Sequence, residues 1–496
     1  MKTNKENYYR YGGIQVDVSQ FLNQPSDCLV CTNLVTGDAG FGTKEVRPGY
    51  TTWLDKPDNS SVRNLYYYDI PDETGVFRVS DQTLYKYIGS GTASWGSQQQ
   101  AFTVDVKEAF ATLAGSVPFV HLSNATDGYA TYNRTTGFTD HSADTYTPAS
   151  TFLTAWQSRI FGDFNKLLLY ESAVSFDLNT GYTTEPFTIN ANDPAGGGST
   201  PVNSGADGEI VEITSSSDRV HIFKNTGVYR YNGQSFMRYP FRGHILSVCT
   251  TDNDVDYFMT PSGIFKCDGK QVSPASFGVN KIIRQTAKTY GLADIISYSV
   301  DNYTYFFIGT MNASPSAEQP LTLSNAMFVH DEALDEWYIW SLGHQMTAFG
   351  KWLNPTTKRL QLISGDVDGN TYIWGDEYYS DNGTPIHYHL RGAYMAFGDP
   401  DKIKYLEQYS ISMKNGQTSS LNFALDYKDE YKNEQIFAPK ILNKDKSNRI
   451  SAFNAISLEV MGSASQNRPV IYGTSISYQG GDDESDRRED SKKARR

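Results

Sequence analysis

Short apolar runs alternating with polar residues, each closed by a turn rich in Gly, Asn or Asp, recur along most of the chain. The pattern is sharpest in two matching segments. Residues 218–233 read DRVHIFKNTGVYRYNG and residues 254–269 read DVDYFMTPSGIFKCDG, 36 positions apart. In each, an Asp precedes a short apolar strand, and a turn ends in Gly227 or Gly263. A second strand follows (Val228, Tyr229, Tyr231; Ile264, Phe265, Cys267), closed by Asn232-Gly233 or Asp268-Gly269. Such dipeptides suit tight hairpins because the turn positions need positive φ. Similar units are read at 76–87, turning at Asp81-Gln82, at 117–133, turning at Asp127-Gly128, and at 153–177, turning at Gly162-Asp163. Strands at 295–308 and 326–340 and a last hairpin at 358–374 complete the series. Helical periodicity is nearly absent, with 106–113 the best short candidate.

A hairpin-rich repeat of this length predicts an all-β chain built on a degenerate β-propeller of six or seven blades, with an additional antiparallel β-domain. Residues 1–58 read as an N-terminal arm, with Phe21 and Leu22 as its first docking residues, and lead-in strands. Within them, Arg47-Pro48-Gly49-Tyr50 places Pro-Gly at the centre of a type II turn. Residues 59–384 form the propeller, interrupted by a Gly- and Pro-rich surface loop at 191–207. Residues 385–479 carry longer alternating strands, such as KYLEQYSISMK and PVIYGTSISYQ, and read as the antiparallel β-domain. Residues 480–496 are rich in charge, acidic first and then basic, and predict a disordered tail.

Composition narrows the function. The chain of 496 residues has 43 Lys and Arg against 56 Asp and Glu, a formal charge of -13, which argues against a general nucleic-acid binder. An acidic wall beside a DNA path is a different matter, since it repels phosphate and lets the polymer slide. The 34 Tyr suit half-buried sheet faces and interfaces. Tyr66, Tyr67 and Tyr68 put aromatics on both faces of one strand, and Tyr378 and Tyr379 behave likewise. These five are predicted assembly contacts, with strand packing as the alternative. The four Cys are too few for a disulfide scaffold. Cys28 and Cys31 form a single CxxC and read as ordinary thiols, Cys249 and Cys267 as core. No apolar export segment opens the sequence and no stretch is long and apolar enough to span a bilayer, so synthesis in a cytoplasm is expected.

Candidate chemistry is sparse. Asp366, Asp368 and Asn370 alternate, with Glu377 at position twelve, a partial calcium loop. Thr371 stands where that loop needs Gly, and the competing reading is a plain hairpin turn. No other cofactor is implied. None of the eight His lies at HExxH spacing; His387 and His389 share a strand face without a third ligand. No GxSxG elbow, P-loop or dinucleotide fingerprint is present. Carboxylates are plentiful, but no glycosidase pair is picked out by spacing.

Three patches resemble the tail-nozzle, or packaged-DNA stabilisation, proteins of short-tailed bacteriophages, a head-to-tail connector family. A Gly-rich lead-in from Asn33 to Gly42 runs into Arg47-Pro48-Gly49-Tyr50, similar to the family's Arg-Pro-Gly turn. SRIFGD from Ser158, followed by Tyr170 and Ser172, is similar to a recurring blade segment, and GDPDKIKYLEQYSISM from Gly398 to the opening of its last domain. The insertion at residues 196–198 and the charged tail depart from the pattern. The resemblance implies a structural, non-enzymatic virion tail protein made in the host cytoplasm. Six copies would form a ring that meets portal or adaptor and tail proteins, with Arg47 and Tyr50 among its contacts. Packaged double-stranded DNA would pass through the ring without sequence-specific binding, be retained there, and leave on infection. Two other readings stand beside it: a carbohydrate-binding or glycoside-cleaving propeller acting in receptor recognition, and a cytoplasmic scaffold propeller.

Overall fold

A computed structural model of the chain describes residues 3–8, 11, 14, 15, 28–37, 42–70, 73–89, 94–96, 98–101, 109–112, 120–135, 137–140, 150–157, 159–172, 198–202, 206–313, 321–397, 403–416, 419–425, 431–434, 451–453 and 455–480. Phe21, Leu22, Ser158, residues 191–197 of the Gly-rich loop and residues 481–496 of the tail lie outside them.

The two matching segments form the hairpins that their pattern predicts. Arg219–Lys224 pairs with Gly227–Tyr231, and Asp256–Thr260 with Gly263–Cys267. The closing dipeptides work alike. Asn232 Oδ1 accepts the backbone N–H groups of Gln234 and Ser235, and Asp268 Oδ1 those of Lys270 and Gln271. Gly233 and Gly269 then take φ of 87° and 78°, which a Cβ would disfavour. Each hairpin is the middle of a four-stranded antiparallel meander. Five such meanders follow in order, opening with Val62–Ile70, Ala109–Thr112, Leu153–Trp156, Ile210–Ser216 and Ser247–Thr250, and successive ones pack through these opening strands. The fourth and fifth are stapled by a buried pair, His221 Nδ1 against Asp256 Oδ2 at 2.5 Å.

The expected β-propeller of six or seven blades with an additional β-domain is corrected by the rest of the chain. The strands from residue 296 to residue 375 are not free-standing blades. Together with N- and C-terminal strands they form one fourteen-stranded sheet. Its path runs from Ile296–Val300 through Tyr303–Asn312, Thr322–Asp331 and Glu336–Ser341 to Cys28–Thr32 and Thr384–Gly392. It continues through Ser380–Asp381, Gly49–Leu54, Thr371–Gly375 and Leu360–Asp366 to Met346–Leu353. The two ends of this path, Ile296–Val300 and Met346–Leu353, pack against each other, so the sheet curls into a nearly closed barrel. The C-terminal strands have no sheet to themselves. Ile456–Ala464 pairs with Thr384–Gly392, whereas Lys404–Lys414 and Val470–Gly480 join Thr3–Tyr8, Leu34–Thr36, Lys44–Val46 and Ser451–Phe453 in a six-stranded sheet.

One helix breaks the all-β pattern among the described residues, and it is not the predicted one. Ala109–Thr112 of the candidate at 106–113 is a strand, since so short an apolar run fits either period. The helix is Asn280–Tyr290, whose Ile282, Ile283 and Thr286 share a buried face and whose Lys288 lies in the last turn.

The fourteen-stranded sheet is joined at Arg47, which is fully buried. Its Nη1 and Nη2 hold Asp381 Oδ1 and Oδ2 at 2.9 and 2.6 Å. Nε donates to Asn33 Oδ1, Nη1 also to the Pro48 carbonyl, and Nη2 also to the Ser341 carbonyl. All five guanidinium hydrogens are thereby used. Breaking a buried, hydrogen-bonded pair leaves a bare charge, at about 3–5 kcal/mol. Arg47→Ala and Asp381→Ala are each expected to lower unfolding free energy in urea by roughly that amount, and the double variant by clearly less than the sum.

Candidate functional site

A cavity of about 470 Å³ opens where the two ends of the fourteen-stranded path meet. One wall comes from the hairpin turn at Val300, Asp301 and Tyr303, the opposite wall from the turn at Asn354, Thr357 and Arg359. Glu336–Ser341 and Thr371–Gly375 contribute Trp340 and Trp374, and Tyr305 lies beside them. Trp340 and Trp374 are stacked at 6.2 Å, and Tyr305 meets Trp340 edge-on at 5.8 Å. Their positions are set from behind by Arg47, whose guanidinium lies 5.7 Å from one Trp ring and 5.9 Å from the other.

The electrostatics of the cavity are negative. Arg468 is held by Glu45 at 3.1 Å and Asp376 at 3.0 Å. Asp301 and Glu377 complete the acidic part of the rim, and Arg359 adds an exposed cation. Burial, followed by the charges of Asp331 and Asp376, pushes the Tyr303 hydroxyl above its ordinary range. Burial also lifts Tyr305, helped by Tyr303, Asp301, Asp331 and Asp376. The Trp374 indole N–H donates to Ser364 Oγ. That of Trp340, a residue only 2% exposed, has no partner among the described residues.

The predicted site residues lie elsewhere or serve the interior. Arg47, Tyr50 and Tyr68 are buried within the chain, so none of them offers a partner a surface. Tyr50 packs on Trp374 and Tyr372, and its hydroxyl meets His344 Nδ1 at 2.9 Å. Tyr66, Tyr67 and Tyr68 do face both ways, but into two cores. Tyr66 and Tyr68 belong with Phe77 and Tyr132, and Tyr67 with Trp95 and Trp352. Tyr378 is half-buried, whereas Tyr379 is 37% exposed.

In the candidate calcium loop, Asp366 is buried and its carboxylate is taken by the hairpin itself. Oδ1 accepts the N–H groups of Asp368 and Asn370, and Oδ2 accepts the Asn370 amide and the Tyr372 hydroxyl. Asp368 and Glu377 are exposed, and no group of three or more His, Cys, Asp or Glu suited to a metal occurs among the described residues. His389 is bound to Glu459. Cys28 and Cys31 are buried in Cys28–Thr32 and are not joined by a disulfide. A bulge between Cys28 and Val30 brings them to one side of that strand, and the hydrogen bond between them pushes Cys28 up and holds Cys31 down.

The cavity residues escaped the sequence reading because they come from segments remote from one another. Trp340 and Trp374 stood in predicted strands, yet nothing local marks them as neighbours.

Two measurements check the polar interior. Burial alone would lower His221, but the hydrogen bonds of Asp256 and Cys267 outweigh it and lift the imidazole from 6.5 to about 9. The folded chain therefore holds this proton more tightly than the unfolded one. The resulting stability is complete below about pH 6.5 and is lost as pH rises through about 9. Urea titrations are expected to show a decline of at most about 3 kcal/mol across that window, which His221→Gln abolishes. Asp366→Ala strands four donors and is expected to cost about 2–4 kcal/mol, while millimolar calcium leaves the melting temperature of the parent chain unchanged.

No family model matches the chain, and no curated protein matches it. Among solved structures, it is similar to the extracellular domain of the putative one component system BT4673 from B. thetaiotaomicron, at 9% identity and a TM-score of 0.44. The match covers 82% of this chain and spans about 58% of the length of that one. A likeness at this level carries no argument about function, and the expectation of a phage-tail connector with a β-propeller fold finds no relative in it.

Proposed function

We propose that the chain is a structural subunit of a virion tail, non-enzymatic, which assembles with copies of itself into a ring along the path of packaged DNA. The observation that carries this reading is the architectural use of the residues behind the resemblance. Arg47 and Pro48 form the buried joint of the largest sheet. Asp163 Oδ1 accepts the N–H groups of Thr151 and Phe152, and its Oδ2 that of Lys166, fixing the turns of the third meander. Ser172 Oγ accepts the Ile160 N–H in the same unit. Lys404–Lys414 pairs along its length with Val470–Gly480. A likeness that rests on construction supports a function of construction.

The charge balance supports the same reading. A formal charge of -13 disfavours adhesion to duplex DNA, and contacts between subunits would carry specificity. No helix among the described residues is long and apolar enough to cross a membrane. Portal or adaptor and tail proteins would be the neighbours of the ring.

Light scattering and negative-stain imaging of the purified chain are expected to show a closed ring, six-fold by the resemblance, with an opening that admits duplex DNA. A strict monomer that retards duplex DNA at physiological salt would overturn the proposal.

A further inference from the structure

We infer that the exposed face of the helix Asn280–Tyr290 docks head-to-tail on the acidic turns of a second copy of this chain. The inference rests on the assembly role proposed above and names the two surfaces that meet.

The first argument is the face itself. At about 3.6 residues per turn, Lys281, Arg284 and Lys288 fall within about 60° of one another, opposite the buried Ile282, Ile283 and Thr286. All three cations are exposed, and the helix carries no acid. Phe277, just ahead of the helix, is 67% exposed, and Tyr290 at its end is 45% exposed. A cationic stripe between two exposed aromatics, on a chain of formal charge -13, suits an acidic protein surface.

The second argument is the opposite end of the same strands. Arg284 Nε donates to the Ser262 carbonyl at 3.1 Å, in the turn that follows Asp256–Thr260. The Tyr290 hydroxyl meets Thr322 Oγ1 at 3.5 Å, where Thr322–Asp331 begins. The far ends of these two strands, about 17 Å or more away, run into a set of touching turns. Asp252 and Asp254 stand in one turn, Asp301 in the next, Glu332 and Asp335 in the third. The Glu332 N–H donates to the Asn302 carbonyl, and its carboxylate is hydrogen-bonded to Asn253. Lys351, Arg359 and Lys266 lie nearby and leave this edge with a net negative charge. Burial first, and Asp252 next, push the Asp301 carboxyl above its ordinary range; burial with Asp252 and Asp331 does the same for Glu332. A cationic face laid on these crowded acids relieves their repulsion.

The third argument is direction. Opposite charge at opposite ends of one set of strands lets each copy offer its helix to one neighbour and its turns to the other. Such a heterologous contact closes into a ring when the rotation between copies allows. Other occupants fit less well. Three cations fall short of the roughly 6–10 phosphate contacts of an ordinary duplex binder. A helix that lies on an anionic bilayer inserts its apolar face, and here Ile282 and Ile283 face the interior.

The test is sedimentation velocity on the full-length chain and two charge-reversed forms. One carries Arg284→Glu with Lys288→Glu on the helix, the other Asp252→Lys with Glu332→Lys on the turns. The parent is expected to self-associate about tenfold more weakly as NaCl rises from about 50 to about 500 mM. Each variant alone is expected to self-associate at least about tenfold more weakly than the parent, with an unchanged melting temperature. An equal mixture of the two restores opposite charge at every contact and is expected to recover the parent's assembly, which a merely structural role would not produce. If the turn variant does not fold, the helix variant and the salt series decide. Variants that assemble as the parent does overturn this docking and leave the assembly role standing, whereas a parent that stays monomeric at every concentration overturns both. Duplex DNA or anionic vesicles bound by the parent and not by the helix variant would assign the face to them instead and overturn the inference.

Discussion

Arg47 and Asp381 are the contact on which the large sheet depends. A guanidinium sealed from water must have every hydrogen answered, or the desolvation of the charge is not offset. Here the answers come from Asn33, the adjacent Pro48, Ser341 and Asp381, so one side chain near the N-terminus fixes two stretches about 300 residues further on. Asp381 Oδ2 accepts the Gly343 N–H as well, and Asn33 Nδ2 donates to the His387 carbonyl. The pairing of Gly49–Leu54 with Thr371–Gly375, and of Cys28–Thr32 with Thr384–Gly392, runs immediately beside this cluster. With a bidentate pair at the centre, a slip of one residue in either strand would separate the charges as well as invert the side-chain faces.

The same side chain connects architecture to the candidate site. Trp340 and Trp374 lie against Arg47 and also line the cavity. Their positions are therefore set by the interior of the protein, while the charged and amide groups of the rim come from turns. A rigid aromatic floor under a rim of turn residues is the usual arrangement of a binding site, because turns vary while the scaffold holds.

The meanders follow another logic. Their contacts are mostly between neighbours in sequence, and their turns repeat one device. Asn124, Asn232 and Asp268 each use a side-chain oxygen to take up backbone N–H groups two to three residues on, a device that Asp331, Asn354 and Asp366 repeat in hairpins of the large sheet. Units closed so locally need only a few long-range links, of which the His221–Asp256 pair is one. Fused to them is a sheet whose pairings span more than 300 residues, such as Cys31 opposite Leu390.

That contrast explains what could be read in advance. Hairpins at 219–231 and 256–267 were legible, because alternation and turn chemistry are local and both act within a few residues. So were the strands at Leu360–Asp366 and Thr371–Gly375, and the hairpin that competed with a calcium loop at Asp366. The helix Asn280–Tyr290 was missed because its buried face is only Ile282, Ile283 and Thr286, with just two apolar side chains to mark a helical period. Burial of Arg47, Tyr50 and Tyr68 was invisible for a different reason: a charged or tyrosyl side chain goes inside only where distant groups answer it. Sheet membership of the terminal strands and the meeting of Trp340, Trp374, Asp301 and Arg359 belong to the same class. Local patterning determined which residues turn and which extend. Only the tertiary structure decided which strands are neighbours, because any alternating strand can pair with any other until buried polar groups and packing select one partner.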